Sequence, residues 1–223
     1  NGVPDMASEK VVLQFYSQRN ICCHTGGSIA FGADNLLYLS TGDNATPFNQ
    51  PAGAKNNGYA PLDGRPGNEQ YDARRTSGNT ADLRGKILRI RINEDGSYEI
   101  PDGNLFVDEP KGKKEIYVMG NRNPYRISVD KKTGYLYWGD VGPDAANDRL
   151  QTRGPRGYDE VNQARKAGYF GWPFFIGDNY AYNSFDYAAG TSGASYDPAK
   201  PLNISPINTG LQRLPPAQPA FIW

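Results

Sequence analysis

Histidine occurs once in this chain of 223 residues, cysteine and methionine twice each, and neither sign of charge prevails: 24 Lys and Arg stand against 24 Asp and Glu. Each scarcity excludes something. The charge balance leaves no basic face for nucleic acid or an anionic membrane surface, so the expected ligand is small or uncharged. No run of 18 apolar residues occurs, which excludes insertion as a membrane-spanning helix. No Gly-x-Gly-x-x-Gly follows a strand pattern, so nothing points to a nicotinamide cofactor. Beyond Cys22, Cys23 and His24 the chain has no further Cys or His, which argues against zinc. It opens on Asn1 with no initiator Met, basic stretch or apolar leader, and closes on Pro219-Ala220-Phe221-Ile222-Trp223, which reads as the start of a buried strand. The expectation is a piece of a longer polypeptide.

What is present is glycine (26), proline (17) and tyrosine (15), the signature of a loop-rich, aromatic-rich β protein. One pattern recurs. Gly27-Ser28-Ile29-Ala30-Phe31, Asp34, Leu37-Tyr38-Leu39 and Thr41-Gly42-Asp43 return about a hundred residues later as Arg126-Ile127-Ser128-Val129, Asp130, Leu136-Tyr137-Trp138 and Gly139-Asp140. A hairpin repeated at long spacing implies a radially repeated β architecture, and at roughly 40 to 50 residues per blade this length holds about four or five blades.

Alternation predicts strands at 11–16, 28–31, 36–40, 115–119, 126–130 and 135–139. A strict period-2 run at 85–92 sets Ile87, Arg89 and Arg91 on one face and Leu88, Ile90 and Ile92 on the other. Only 159–167 reads as a helical turn. Residues 44–82 and 178–219, rich in Asn, Gly, Pro and Ser, read as long loops. Asn44-Ala45-Thr46 and Asn203-Ile204-Ser205 match the glycosylation pattern. Two readings of Cys22 and Cys23 stand open: a vicinal disulfide in an oxidising compartment, or two reduced, buried thiols.

A co-linear series of motifs then resembles one family. His24-Thr25-Gly26-Gly27-Ser28-Ile29-Ala30-Phe31-Gly32, Gly85-Lys86-Ile87-Leu88-Arg89-Ile90, Gly120-Asn121-Arg122-Asn123-Pro124, Gly142-Pro143, Asp159-Glu160-Val161-Asn162 and Gly168-Tyr169-Phe170-Gly171-Trp172-Pro173 are similar, in that order, to motifs of the glucose/sorbosone dehydrogenase family. In overall wording the chain is nearest to multidomain exported members from Bacteroidetes-type bacteria. The resemblance implies an all-β fold, a six-bladed β-propeller of which 1–223 would be a partial stretch. It implies oxidation of a sugar hydroxyl with pyrroloquinoline quinone and calcium, in the periplasm or at the cell surface, with other domains or subunits of a longer protein as possible partners.

Site residues follow from the same resemblance. His24 corresponds to the general base, a role that suits an imidazole titrating near neutrality. Arg122 and Asn123 correspond to residues contacting quinone and substrate oxygens, and a guanidinium can grip a carboxylate bidentately. Gly142 and Pro143 correspond to a corner whose carbonyls help hold calcium. Glu160 and Asp178 correspond to a second, structural calcium site, although Phe170 stands where the family has tyrosine. Read from the residues alone, His24 is equally a buried structural imidazole, Arg122-Asn123-Pro124 and Gly142-Pro143 are plain turns, and the tryptophans are packing. A non-catalytic carbohydrate- or protein-binding propeller module is the alternative function.

Overall fold

The computed structural model describes residues 2–33, 35–46 and 58–223; among them thirteen short strands and three single 3-10 turns occur, and no α-helix. The longest strand, β3 (Lys86–Ile92), organises the largest sheet. Its branched residues suit an extended chain covered on both faces, and Ile87 and Leu88, which point opposite ways, are both buried. β2 (Leu36–Thr41) pairs antiparallel along one side of it, from Leu36↔Arg91 to Thr41↔Lys86. β5 (Ile116–Met119) pairs along the other side. β1 (Ile29–Phe31) lies outside β2, β4 (Tyr98–Glu99) joins the far end of β3, and β9 (Gly168–Tyr169) runs parallel to β5.

The second sheet is the meander β6 (Pro124–Val129), β7 (Leu136–Asp140) and β8 (Glu160–Ala164), with Ile222 bridged to Val161 at its outer edge. Tyr38, Ile87 and Val118 of the first sheet pack against Leu136, Trp138 and Ala164 of the second, and Phe170 meets Trp138 edge-on at 4.8 Å. Full burial of a side chain such as Ile87 or Leu136 contributes about 1.5–3 kcal/mol. The repeated hairpins, β1–β2 and β6–β7, are neighbours in space: Ile127 N donates to Ser28 Oγ at 3.4 Å and Gly26 N to Asn123 Oδ1 at 3.0 Å. The chain is all-β, with blade-like sheets of a partial propeller and no closed ring among the described residues.

Several expectations are corrected. Residues 11–16 form no strand; Leu13 packs against the core and Tyr16 lies under the Arg84 guanidinium instead. The helical turn at 159–167 is β8, because Asn162 and Ala164 follow a period of two into the interior. The loop at 178–219 contains β11 (Tyr180–Ala181), which pairs with β10 (Phe175–Ile176), and the hairpin of β12 (Asn183–Asp186) and β13 (Thr191–Ser195). Its Tyr182 and Leu214 are buried, so widely spaced large apolar residues anchor a chain without periodicity. In the loop at 44–82, the described part from 58 carries two 3-10 turns and buries Tyr59, Leu62 and Tyr71. Asp34 and residues 47–57, which belong to the predicted hairpin turn and to that loop, lie outside the described residues. Asn44 and Asn203 are buried and hydrogen-bonded, which removes both glycosylation matches from the folded surface.

Candidate functional site

Both repeated hairpins end on Gly-Asp, and the two aspartates meet at one place. Asp43, just past β2, is fully buried; its Oδ1 accepts from His24 Nδ1 at 2.8 Å and from Ala45 N at 2.9 Å, while Oδ2 accepts from Trp172 Nε1 at 2.8 Å. A carboxylate only accepts, so His24 holds its hydrogen on Nδ1 and keeps Nε2 as the basic nitrogen. Asp140, at the end of β7, accepts from Arg122 N at 2.9 Å and from Asn123 N at 2.6 Å. Asp43 N in turn donates to Arg122 O at 2.8 Å. The Arg-Asn-Pro corner is thus clamped from both repeats. Gly42 permits the approach: a Cβ there would sit 2.0 Å from the His24 carbonyl oxygen.

Arg122 is 5% exposed, donates from Nη1 to Val141 O at 2.9 Å, and lies 5.9 Å from the Trp172 ring centre. Among the described residues it makes no ion pair with a carboxylate. A buried guanidinium with most of its donors uncommitted has the chemistry to receive an anionic or carbonyl-bearing group. His24, Tyr59, Arg122, Pro143 and Trp172 line one cavity of about 10 Å³. A second cavity of about 10 Å³ shares Arg122, Pro143 and Trp172 and adds Asp140, Gly142 and Glu160. Each has room for about one water.

Burial pushes the Asp140 carboxyl up to about 6, against the pull of the Arg122 and Asn123 N–H groups. Burial likewise raises Glu160 to about 7, helped by the charge of Asp140; it accepts from Gly177 N at 2.6 Å and Asn162 Nδ2 at 3.0 Å. The wholly buried Lys86 ammonium, pushed down to about 7 by burial, donates to Thr76 O, Ser77 O and Arg84 O at 2.7–3.2 Å. Its backbone pairs with Thr41 at the end of β2, and its ammonium ties β3 to the 76–77 and 84 carbonyls.

Of the residues expected from sequence, His24, Arg122, Gly142, Pro143 and Glu160 line these cavities, and Asn123, its N–H held by Asp140, adjoins Arg122 without lining either. Gly142 N bonds Asp159 Oδ1 at 2.8 Å, and Asp178 is exposed, next to the Gly177 that Glu160 holds. Asp43, Asp140, Trp172 and Lys86 join them here, although local sequence pattern does not mark them as site residues. A signal for the two aspartates existed, since the repeat itself aligns Asp43 with Asp140.

In donor chemistry Arg122, with its free N–H groups, suits the oxygens of a planar, anionic quinone, while the two cavities beside it are each no larger than a water. The residues present do not make a calcium cage. No group of three or more His, Cys, Asp or Glu side chains stands together among the described residues, Asp140 and Glu160 already accept from backbone and amide donors, and the buried Phe170 offers no oxygen. The carbonyls of Gly142 and Pro143 and the nearby carboxylates of Asp140 and Glu160 are oxygen donors of the kind that calcium prefers, but they do not assemble into a shell.

The family described as Glucose / Sorbosone dehydrogenase matches residues 64–207. The HIPL1 protein of Arabidopsis thaliana is 27% identical over 195 residues, covering 80% of this chain and 23% of its own length. The aldose sugar dehydrogenase YliI of Escherichia coli K12 is 29% identical over 159 residues, 71% of this chain and 31% of that protein. Quinoprotein glucose dehydrogenase B of Acinetobacter calcoaceticus is 27% identical over 179 residues, 76% and 30% respectively. The chain thus spans less than a third of the length of these relatives. A solved structure of a glucose dehydrogenase superposes with a TM-score of 0.51 at 21% identity, over 95% of this chain and 42% of that one, a likeness of fold alone.

Proposed function

Because the chain belongs to the glucose/sorbosone dehydrogenase family, we propose that it is part of an exported, quinone-dependent dehydrogenase that oxidises an aldose-type sugar hydroxyl, with His24 taking the hydroxyl proton. The observation that carries this reading is the buried His24–Asp43 pair in the wall that also holds Arg122. Asp43 orients the imidazole and balances the charge it gains with the substrate proton. Arg122 and Asn123, fixed by Asp140, bind and orient oxygen atoms of cofactor and substrate. Trp172 excludes water from the guanidinium and braces Asp43. A bound quinone of the pyrroloquinoline quinone type supplies the two-electron acceptor that no side chain provides. The calcium assignments, Gly142 and Pro143 for one ion and Glu160 with Asp178 for a second, carry no step.

The test uses the full-length protein supplied with pyrroloquinoline quinone, calcium, aldoses and a reducible dye. Dye reduction is expected, falling about 10²- to 10⁴-fold in His24→Ala, the range of a lost general base. Absence of dye reduction with every aldose, in wild type and variant alike, would sink the reading. The smallness of the two cavities favours a second reading, a non-catalytic carbohydrate- or protein-binding module. Calorimetry that records glycan binding without quinone binding selects it.

A further inference from the structure

Cys22 and Cys23 are joined in a vicinal disulfide whose two residues are exposed, immediately before the buried His24. The loop that carries them is closed on Asn44 at both ends. Gln18 N donates to Asn44 Oδ1 at 2.8 Å and Asn44 Nδ2 to Gln18 O at 3.2 Å, while Asn44 N donates to His24 O at 3.1 Å. Cys23 and His24 both stand in the left-handed region, with φ of 78° and 50°. Side chains with a Cβ disfavour that region, so two such residues in succession persist only where the surroundings impose them. The imposing restraints are the His24–Asp43 contact on one side and the bonded pair of sulfurs on the other.

A cross-link between adjacent residues closes no long loop and restrains the unfolded chain very little. Its effect is therefore local to the backbone that sets the imidazole. We propose that Cys22–Cys23 is a redox-modification site at which an external dithiol opens the disulfide and thereby loosens His24 from Asp43. The chemistry balances: one thiolate of the dithiol attacks a sulfur of the pair, its second thiol resolves the mixed disulfide, the S–S bond of Cys22–Cys23 breaks, and two electrons and two protons leave the dithiol as a cyclic disulfide. Exposure of both cysteines gives the reagent access. Freed of the ring, Cys23 relaxes to negative φ and draws the following residue with it.

The functional consequence rests on the reading of His24 as a base, but the structural response needs no turnover, so failure of one is distinguishable from failure of the other. The Cε1–H resonance of His24 is assigned in the full-length protein as the one that disappears in His24→Gln, so it can be followed whatever other histidines that protein carries. The full chain is examined by NMR before and after dithiothreitol, with thiols counted and with phenylarsine oxide, which bridges adjacent thiols, as the capture reagent. Expected, relative to a Cys22→Ser/Cys23→Ser variant, are two more titratable thiols and one more arsenical bound per reduced chain, with a displaced His24 imidazole signal that returns on reoxidation and unchanged far-UV circular dichroism. A Cys22→Ser/Cys23→Ser variant is expected to show the reduced-state imidazole signal and no response to dithiothreitol. Three outcomes overturn the proposal: a disulfide that resists the dithiol, an imidazole signal that stays put once both thiols are titratable, or loss of the whole fold on reduction.

Discussion

Replacing Asp43 with Asn tests the centre most sharply, because the carboxylate is wholly buried and accepts three hydrogen bonds at once, from His24 Nδ1, Ala45 N and Trp172 Nε1. Asparagine keeps the shape and offers one accepting oxygen and one NH2 group. Turned with its oxygen toward His24 and Ala45, it sets NH2 against the indole N–H of Trp172. Turned the other way, it sets NH2 against Ala45 N–H. Either way at least one buried donor loses its acceptor, at about 1–3 kcal/mol. Urea unfolding followed by tryptophan fluorescence is expected to show that loss, and the Trp172 indole N–H resonance to move. For turnover, removing a charge-assisted bond of about 1.5–3 kcal/mol from the base predicts a fall of about 10- to 10²-fold in kcat/KM. A variant within about 0.5 kcal/mol of wild type, with an unmoved indole signal, refutes the argument, since that is the range of a substitution that touches nothing.

The pH dependence of stability provides a second check. Burial raises Asp140 to about 6 and Glu160 to about 7, above their unfolded values of 3.8 and 4.5, so the folded state holds more protons than the unfolded one between those limits. Their contribution is full below about pH 4 and is lost as pH rises through 6 and 7. Urea midpoints measured from pH 4.5 to 6.5, below the range in which the buried Lys86 loses its proton and reverses the slope, are expected to fall with pH in wild type and less steeply in Glu160→Gln, whose side chain stays neutral; parallel slopes contradict this. Gly42→Ala places a methyl 2.0 Å from His24 O and 2.9 Å from Gly26 N, both backbone atoms that cannot swing aside. A loss of about 3 kcal/mol or more is expected in the same unfolding assay, and a fully stable Ala variant would show that the His24 segment does not lie against β2.

Much of the β framework was readable because half-buried strands leave a period of two in the residues themselves. Leu36–Thr41, Lys86–Ile92 and Leu136–Asp140 lie within a residue or two of their expected limits. The same signal misled at 11–16, where alternating apolar residues pack singly against the body without a partner strand. It was silent at 178–219, where Tyr182, Tyr187 and Leu214 enter the core at irregular intervals. Periodicity reports a regular face and says nothing of an irregular chain held by a few large side chains.

By itself the sequence determined the class of fold, the repeated hairpin and the family, since each is encoded in local pattern and in the order of short motifs. It also named His24 and Arg122 through that resemblance. Only the tertiary structure decided what these residues do to one another: that Asp43 holds the imidazole, that Asp140 holds the Arg-Asn-Pro corner, and that Trp172 bridges the two from 129 positions beyond Asp43. The physical reason is that a buried polar group must find its partner in space, and among so many aspartates neither spacing nor composition says which carboxylate is brought within reach.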